Sequence, residues 1–216
     1  MNHASEEQLA ALRDTLLRMS NLTFSALQRA VQALNNRDQP LAADVIAGDC
    51  AIDQLEMEVD DRVVRYMATR APIARDSRLM LAASKIASSL ERIADQATTI
   101  ARNVLALAGE PSLPVPAPLP HMAALAAAML RDAMNAFVDG TEELANTVIA
   151  RDLEVDQLNH LVIATLIEQM MENRASIRGG VLLISISKAL ERAADHAQNI
   201  AEEVYYLYRG EDIRHR

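Results

Sequence analysis

Leu90-Glu-Arg-Ile-Ala-Asp-Gln-Ala-Thr-Thr-Ile-Ala-Arg-Asn-Val104 returns one hundred residues later as Leu190-Glu-Arg-Ala-Ala-Asp-His-Ala-Gln-Asn-Ile-Ala-Glu-Glu-Val204. Nine of the fifteen positions are identical, among them Glu91/Glu191, Arg92/Arg192, Asp95/Asp195 and Ile100/Ile200. Agreement of that order within one chain predicts two similar units. A second block repeats at an offset of 103 and includes Val45/Val148, Asp49/Asp152, Asp53/Asp156 and Leu55/Leu158. The change from 103 to 100 implies that the second unit lacks three residues between the blocks, and a turn is the expected place.

The spacing of apolar residues supplies the elements. Leu9, Leu12, Leu16, Met19, Thr23, Ala26, Ala30 and Ala33 step by three and four, the seam of a helix in a left-handed bundle. That first helix is expected from Glu6 to about Asn36, with Ser5 as its N-cap. A second, opened by Pro40, carries Leu41, Val45, Ile52, Leu55, Val59 and Val63 to about Thr69. Pro72 ends it, and a third follows from about Asp76 to Ala108. Residues 109–120 hold five of the seven prolines and read as a stiff, extended linker. The pattern then restarts. A fourth helix from about His121 has a seam at Leu130, Met134, Phe137, Thr141, Leu144 and Val148; a fifth spans about Arg151 to Asn173, and a sixth about Ser176 to Arg209. The expected fold is all-α: two tandem, pseudo-symmetric antiparallel three-helix bundles, over 1–109 and 121–216, joined by a linker at 110–120.

Composition narrows the function. Of 216 residues half are apolar, Trp is absent and strand formers have no run of their own. Thirty acids against twenty-one bases give a net charge of −9, which argues against a nucleic-acid surface and suits cations or basic protein patches. Cys50 stands alone, so no internal disulfide is expected and a reducing compartment fits. Residues 1–7 lack a basic and an apolar signal region, and charges interrupt every apolar run. A soluble, cytoplasmic protein is expected.

Four acidic pairs recur at i, i+4: Asp49/Asp53, Glu91/Asp95, Asp152/Asp156 and Glu191/Asp195. On a helix such residues share a face, close enough for two carboxylates to reach one cation. All-oxygen ligation suits hard cations such as Mg²⁺, Mn²⁺ or Ca²⁺, with iron or Zn²⁺ also open. The competing reading is a solvated acidic face, with Arg92 and Arg192 as ordinary ion-pair partners. Glu56 and Asp60 extend the first stripe, whereas the second unit has Asn159 and Ile163 there. His160 and His196 are further candidate ligands, although Val63 and Gln96 stand in their places in the first unit. The basic turns Arg70/Arg75/Arg78 and Arg174/Arg178 read as solvated turns or a docking patch, and Met170-Met171 as flexible core filling.

The two Leu-Glu-Arg-x-Ala-Asp stretches, the Pro72-Ile-Ala-Arg-Asp-Ser-Arg78 turn and the ending Gly210-Glu-Asp-Ile-Arg-His215 resemble the PhoU family of bacterial phosphate-signalling proteins. The likeness covers nearly the whole chain. It implies a cytoplasmic, homodimeric, non-enzymatic adaptor. It also implies a negative role in the phosphate-starvation response, between the ATPase subunit of the phosphate ABC transporter and the sensor histidine kinase. Family members hold metal clusters through Glu/Asp-x-x-x-Asp motifs. These map onto Glu91, Asp95, Glu191 and Asp195, with Asp49, Asp53, Asp152 and Asp156 as their neighbours from the preceding helix. Two positions depart from the family pattern: Ala94 and Ala194 replace its usual Gly, and Gln96 and Thr99 replace its first-unit His and Asn. The rival from another class is a dinuclear-metal, ferritin-like carboxylate bundle. That chemistry uses Glu-x-x-His on bundle helices, a pattern this chain lacks.

Overall fold

The computed structural model describes residues 3–70, 72–211 and 213, with side chains from Ser5 onward. Half of the Gly210–His215 ending, residues 212, 214 and 215, lies outside the described residues. The described elements are α1 (His3–Asn36), α2 (Gln39–Thr69), α3 (Ala74–Leu107), α4 (Pro118–Asp139), α5 (Glu142–Glu172) and α6 (Ile177–Arg209). A single 3₁₀ turn, Arg174–Ser176, precedes α6, and no strand occurs among the described residues.

Local chemistry explains most of the boundaries. The Asp38 carboxylate accepts the Leu41 N–H at 3.0 Å and caps α2, with Pro40 in its first turn. Arg37 takes the left-handed conformation at the end of α1, φ 53°, which lets the Asp38 N–H reach the Ala33 carbonyl. Ser5 does not cap α1, since the helix has already begun at His3; its hydroxyl lies 2.9 Å from the Tyr66 hydroxyl instead. The fourth helix is shorter than its seam suggests. Gly140 stops it with φ 68°, its N–H bonding the Ala136 carbonyl at 2.9 Å. α5 then starts at Glu142 rather than near Arg151, with Glu142 and Glu143 on its positive end.

The three-residue difference between the repeats falls inside a helix. Both turns keep the same length, since α2 and α5 end, and α3 and α6 begin, at matching positions. Ala74 precedes Glu91 by seventeen residues, whereas Ile177 precedes Glu191 by fourteen. Losing close to one helical turn brings the motif back to nearly the same face. At that turn Gly180 permits the close approach of α5: a Cβ there would lie 2.7 Å from Met170 Cγ and Sδ. Met171, by contrast, is 80% exposed and fills no core.

α3 and α6 are the centre of the molecule. Ala83, Ala87, Ala94, Ala97 and Ala101 on α3, and Ala189, Ala193, Ala194, Ala197 and Ala201 on α6, are buried, so small side chains line both central helices. One core cluster runs through both three-helix units. Two polar contacts fix how the central helices meet: Lys85 Nζ donates to Glu203 Oε1 at 2.8 Å, and Asn103 Nδ2 to Ser185 Oγ at 3.1 Å. Eighteen residues separate the contacts on each helix and the order reverses, so the pairing is antiparallel and in register. Under the repeat offset, Lys85 corresponds to Ser185 and Asn103 to Glu203. Each contact is therefore the pseudo-twofold image of the other.

The proline-rich segment lies against the body. Arg37 Nη2 donates to Ser112 Oγ at 3.0 Å, Glu110 pairs with Arg178 at 3.0 Å, and Leu113 and Val115 pack on the core. α4 opens at Pro118, inside the stretch expected to be linker, because proline suits a helix's first turn.

Candidate functional site

Each acidic stripe from the sequence faces another across a helix pair. In the first unit α2 presents Asp49, Asp53 and Glu56 towards Glu91 and Asp95 of α3, while Asp60 accepts the Ser84 hydroxyl at 2.7 Å. In the second α5 presents Asp152 and Asp156 towards Glu191 and Asp195 of α6. All eight expected residues thus line two clefts, four to each, with Glu56 added to the first.

Crowding of like charge in half-buried clefts disfavours ionisation. Burial, then Asp95, Glu56 and Asp53, push Glu91 up to about 7. Burial followed by Asp195, Asp156, Glu191 and Glu202 lifts Asp152 to about 6. Asp49, Glu56 and Asp195 are raised as well, each chiefly by burial and then by neighbouring carboxylates. Arg102 and Thr98 partly restrain Asp49, and Lys188 and Arg192 partly restrain Asp195. Asp152 Oδ1 is buried and has no hydrogen-bond partner. These are features of carboxylates short of positive charge. Among the described residues, however, no three His, Cys, Asp or Glu side chains stand close enough together to hold a metal ion as they are placed, so a cation would have to draw the carboxylates of a cleft together.

The two clefts are built differently beneath. Asn159 is fully buried on α5 in the row Val155, Val162, Leu166. Its amide donates to Glu191 Oε1 at 3.0 Å and its carbonyl accepts from Ser187 Oγ at 2.8 Å, while Lys188 Nζ reaches the same Glu191 oxygen at 2.8 Å. Glu191 is thereby oriented and neutralised. In the first unit Glu56 replaces Asn159 and Ala87 replaces Ser187, so Glu91 meets another acid instead. Similarly Glu202 faces Asp152 where Arg102 faces Asp49. Sequence reasoning treats Asn159 only as a weakened stripe; its place in an apolar 3–4 row marks it as a buried polar group needing partners.

The histidines separate. His160 is exposed and its Nδ1–H donates to the Asp156 carbonyl at 2.8 Å, a bond within its own helix. His196 lies instead at the α3–α6 seam, where burial, then Arg92 and Arg192, hold its pKa below the ordinary value. Of the basic turns, Arg70 donates to Gln8 at 3.2 Å and Arg178 pairs with Glu110.

Tandem three-helix units fused antiparallel, each with a carboxylate cleft between its second and third helices, define a class of pseudo-twofold helical repeat proteins. The family model described as "PhoU domain" matches the chain twice, over residues 16–104 and 119–204. The chain is 38% identical over 214 residues to a phosphate-specific transport system accessory protein PhoU homolog of Zymomonas mobilis, covering 99% of this chain and 90% of that one. It is 36% identical over 218 residues to the homolog of Pseudomonas aeruginosa, covering 99% and 90%. The crystal structure of PhoU from P. aeruginosa superposes with a TM-score of 0.92 at 36% identity, over 95% of this chain and 99% of that one. The phosphate transport system regulatory protein PhoU from Streptococcus pneumoniae gives 0.90 at 29% identity, over 97% and 99%. The chain belongs to the PhoU family, whose members are regulatory accessory proteins and not enzymes.

Proposed function

We propose that this protein is the accessory, negative regulator of a phosphate-specific transport system, joining the ATPase subunit of the transporter to a sensor histidine kinase. What carries the reading is likeness along nearly the entire length to accessory proteins of phosphate transport, with the same fold. In this reading the protein works in the cytoplasm as a homodimer, and none of its described helices is long and apolar enough to cross a membrane. Its regulation is steric and electrostatic: a rigid helical body with two acidic faces docks on its partners and biases their states. The test is a phosphate-responsive reporter in a strain lacking the gene. Reporter activity in phosphate-replete medium, silenced by returning the gene, is the expected result; a reporter that stays repressed without the gene overturns the reading.

The acidic clefts support a second element of the proposal, binding of metal. The unpartnered Asp152 Oδ1 and the raised Glu91 and Asp152 fit a group that supplies positive charge. Asp49, Asp53, Glu91 and Asp95 would hold it in one unit, and Asp152, Asp156, Glu191 and Asp195 in the other. A hard divalent cation or iron would act as a counter-charge that stiffens each helix pair. Elemental analysis of protein purified without chelator checks this. Metal that disappears in the Asp95→Asn/Asp195→Asn double variant is expected, and a metal-free protein after incubation with Fe²⁺, Mn²⁺ or Mg²⁺ refutes it.

A further inference from the structure

One groove on this acidic protein is built almost wholly of hydrogen-bond donors. It lies on the α3–α6 seam, encloses about 230 Å³ and is lined by Lys85, Ser88, Ser89 and Arg92 from α3, with His196 and Asn199 from α6. No apolar side chain lines it, and its one acid, Glu203, is 8% exposed and bonded to Lys85. That contact uses one of the three ammonium N–H groups and leaves two for another partner. Arg92 is exposed and makes no salt bridge among the described residues, although its charge also acts on Glu91 and Glu56 in the neighbouring cleft. Arg192, one helical turn before His196, adds a further positive charge to this side of the seam.

The antiparallel register brings this about. Arg92 faces His196 because the same pairing that joins Lys85 to Glu203 sets Ser89 beside Asn199. The pseudo-twofold image of the groove has Arg192 for Arg92 and Lys188 for Ser88, with Ser185, Ala189, Gln96, Thr99 and Asn103 where Lys85, Ser89, His196, Asn199 and Glu203 stand here. The image has no imidazole, and its lysine is bonded to Glu191 of the acidic cleft.

We propose that this groove binds a tetrahedral oxyanion, inorganic phosphate, with the Arg92 guanidinium and the Lys85 ammonium neutralising it and Ser89, His196 and Asn199 donating to its remaining oxygens. Phosphate offers acceptors on every oxygen, so a lining rich in donors, its one carboxylate tied to Lys85, complements it, and charge-assisted bonds from Arg supply most of the affinity. The site joins one residue set from each unit, so an occupied groove ties α3 to α6. This inference stands on the groove alone and does not need metal in the acidic clefts.

The experiment is equilibrium dialysis of the full chain against radiolabelled inorganic phosphate in the presence of chelator, so that no metal bridges the ion. One equivalent bound per chain is expected. Arg92→Gln and Asn199→Leu should each weaken it by about tenfold or more. Arg65→Gln, at an exposed arginine of α2 paired there with Asp61, should leave it unchanged. Circular dichroism melts confirm that each variant is folded. Failure of the native chain to retain phosphate, or equal retention by folded Arg92→Gln, overturns the site. A phosphoserine peptide that binds the groove while free phosphate does not would overturn inorganic phosphate as the ligand. Each of these outcomes leaves the reporter result above untouched, so the two readings fail separately.

Discussion

At the scale of single residues, Glu91 and Asn159 show how one repeated position can acquire opposite tasks. Glu91 starts from an ordinary value of 4.5 and reaches about 7 in the fold. Between those values folding takes up a proton, so the metal-free chain loses stability as pH rises through that window. Glu91→Gln removes the charge that is being penalised. It should raise the metal-free melting temperature at pH 8 by roughly 2–4 °C, as a gain of about 1 kcal/mol would, and the gain should shrink at pH 5. Equal effects at both pH values would contradict the crowding of the cleft. Asn159→Leu should act the other way. It strips partners from Ser187 and Glu191 in a buried place and should cost about 1–3 kcal/mol, read as a lower urea midpoint. The acidic pairs themselves were legible in the sequence because i, i+4 spacing on a helix is a local property. Asn159, Ser187 and Lys188 were not, since what they support lies on a different helix or depends on which face is buried.

At the scale of the element, glycine decides where helices stop, and its sign depends on position. Gly140 ends α4 at φ 68°, and a Cβ there would meet the Tyr208 ring at 3.0 Å. Gly140→Ala should therefore destabilise by about 1–2 kcal/mol. Gly48 sits within α2, where an added Cβ would meet nothing within 4 Å. Gly48→Ala should stabilise by about 0.5–1 kcal/mol. Opposite shifts of the urea midpoint in the two variants are the check. The seam of threes and fours made the helices readable, and it also hid the break between α4 and α5. Thr141, Leu144 and Val148 continue the apolar phase of α4 through Gly140, so periodicity alone runs the two helices together. Arg209, paired with Glu142 by two hydrogen bonds, fastens the last turn of α6 to the first turn of α5 across that break, a contact no local pattern announces.

At the scale of the whole molecule, the two units share one apolar core through α3 and α6, although the repeat suggests separable halves. Calorimetry should accordingly show a single unfolding transition, with fluorescence of the tyrosines and far-ultraviolet dichroism changing together. Two resolved transitions would mean that the seam is weaker than its packing implies. The antiparallel contact of α3 with α6 has the form of an isologous interface, in which residue i meets j and j meets i. Lys85 with Glu203 and Asn103 with Ser185 are the two halves of that exchange. If each unit were to pair with a copy of itself, the first would set Lys85 against Asn103 twice, and the second Ser185 against Glu203 twice. Only the union of unlike halves matches an ammonium to a carboxylate. The seam therefore has the form of a twofold dimer interface within one polypeptide, its polar contacts complementary between the unlike halves and mismatched within either.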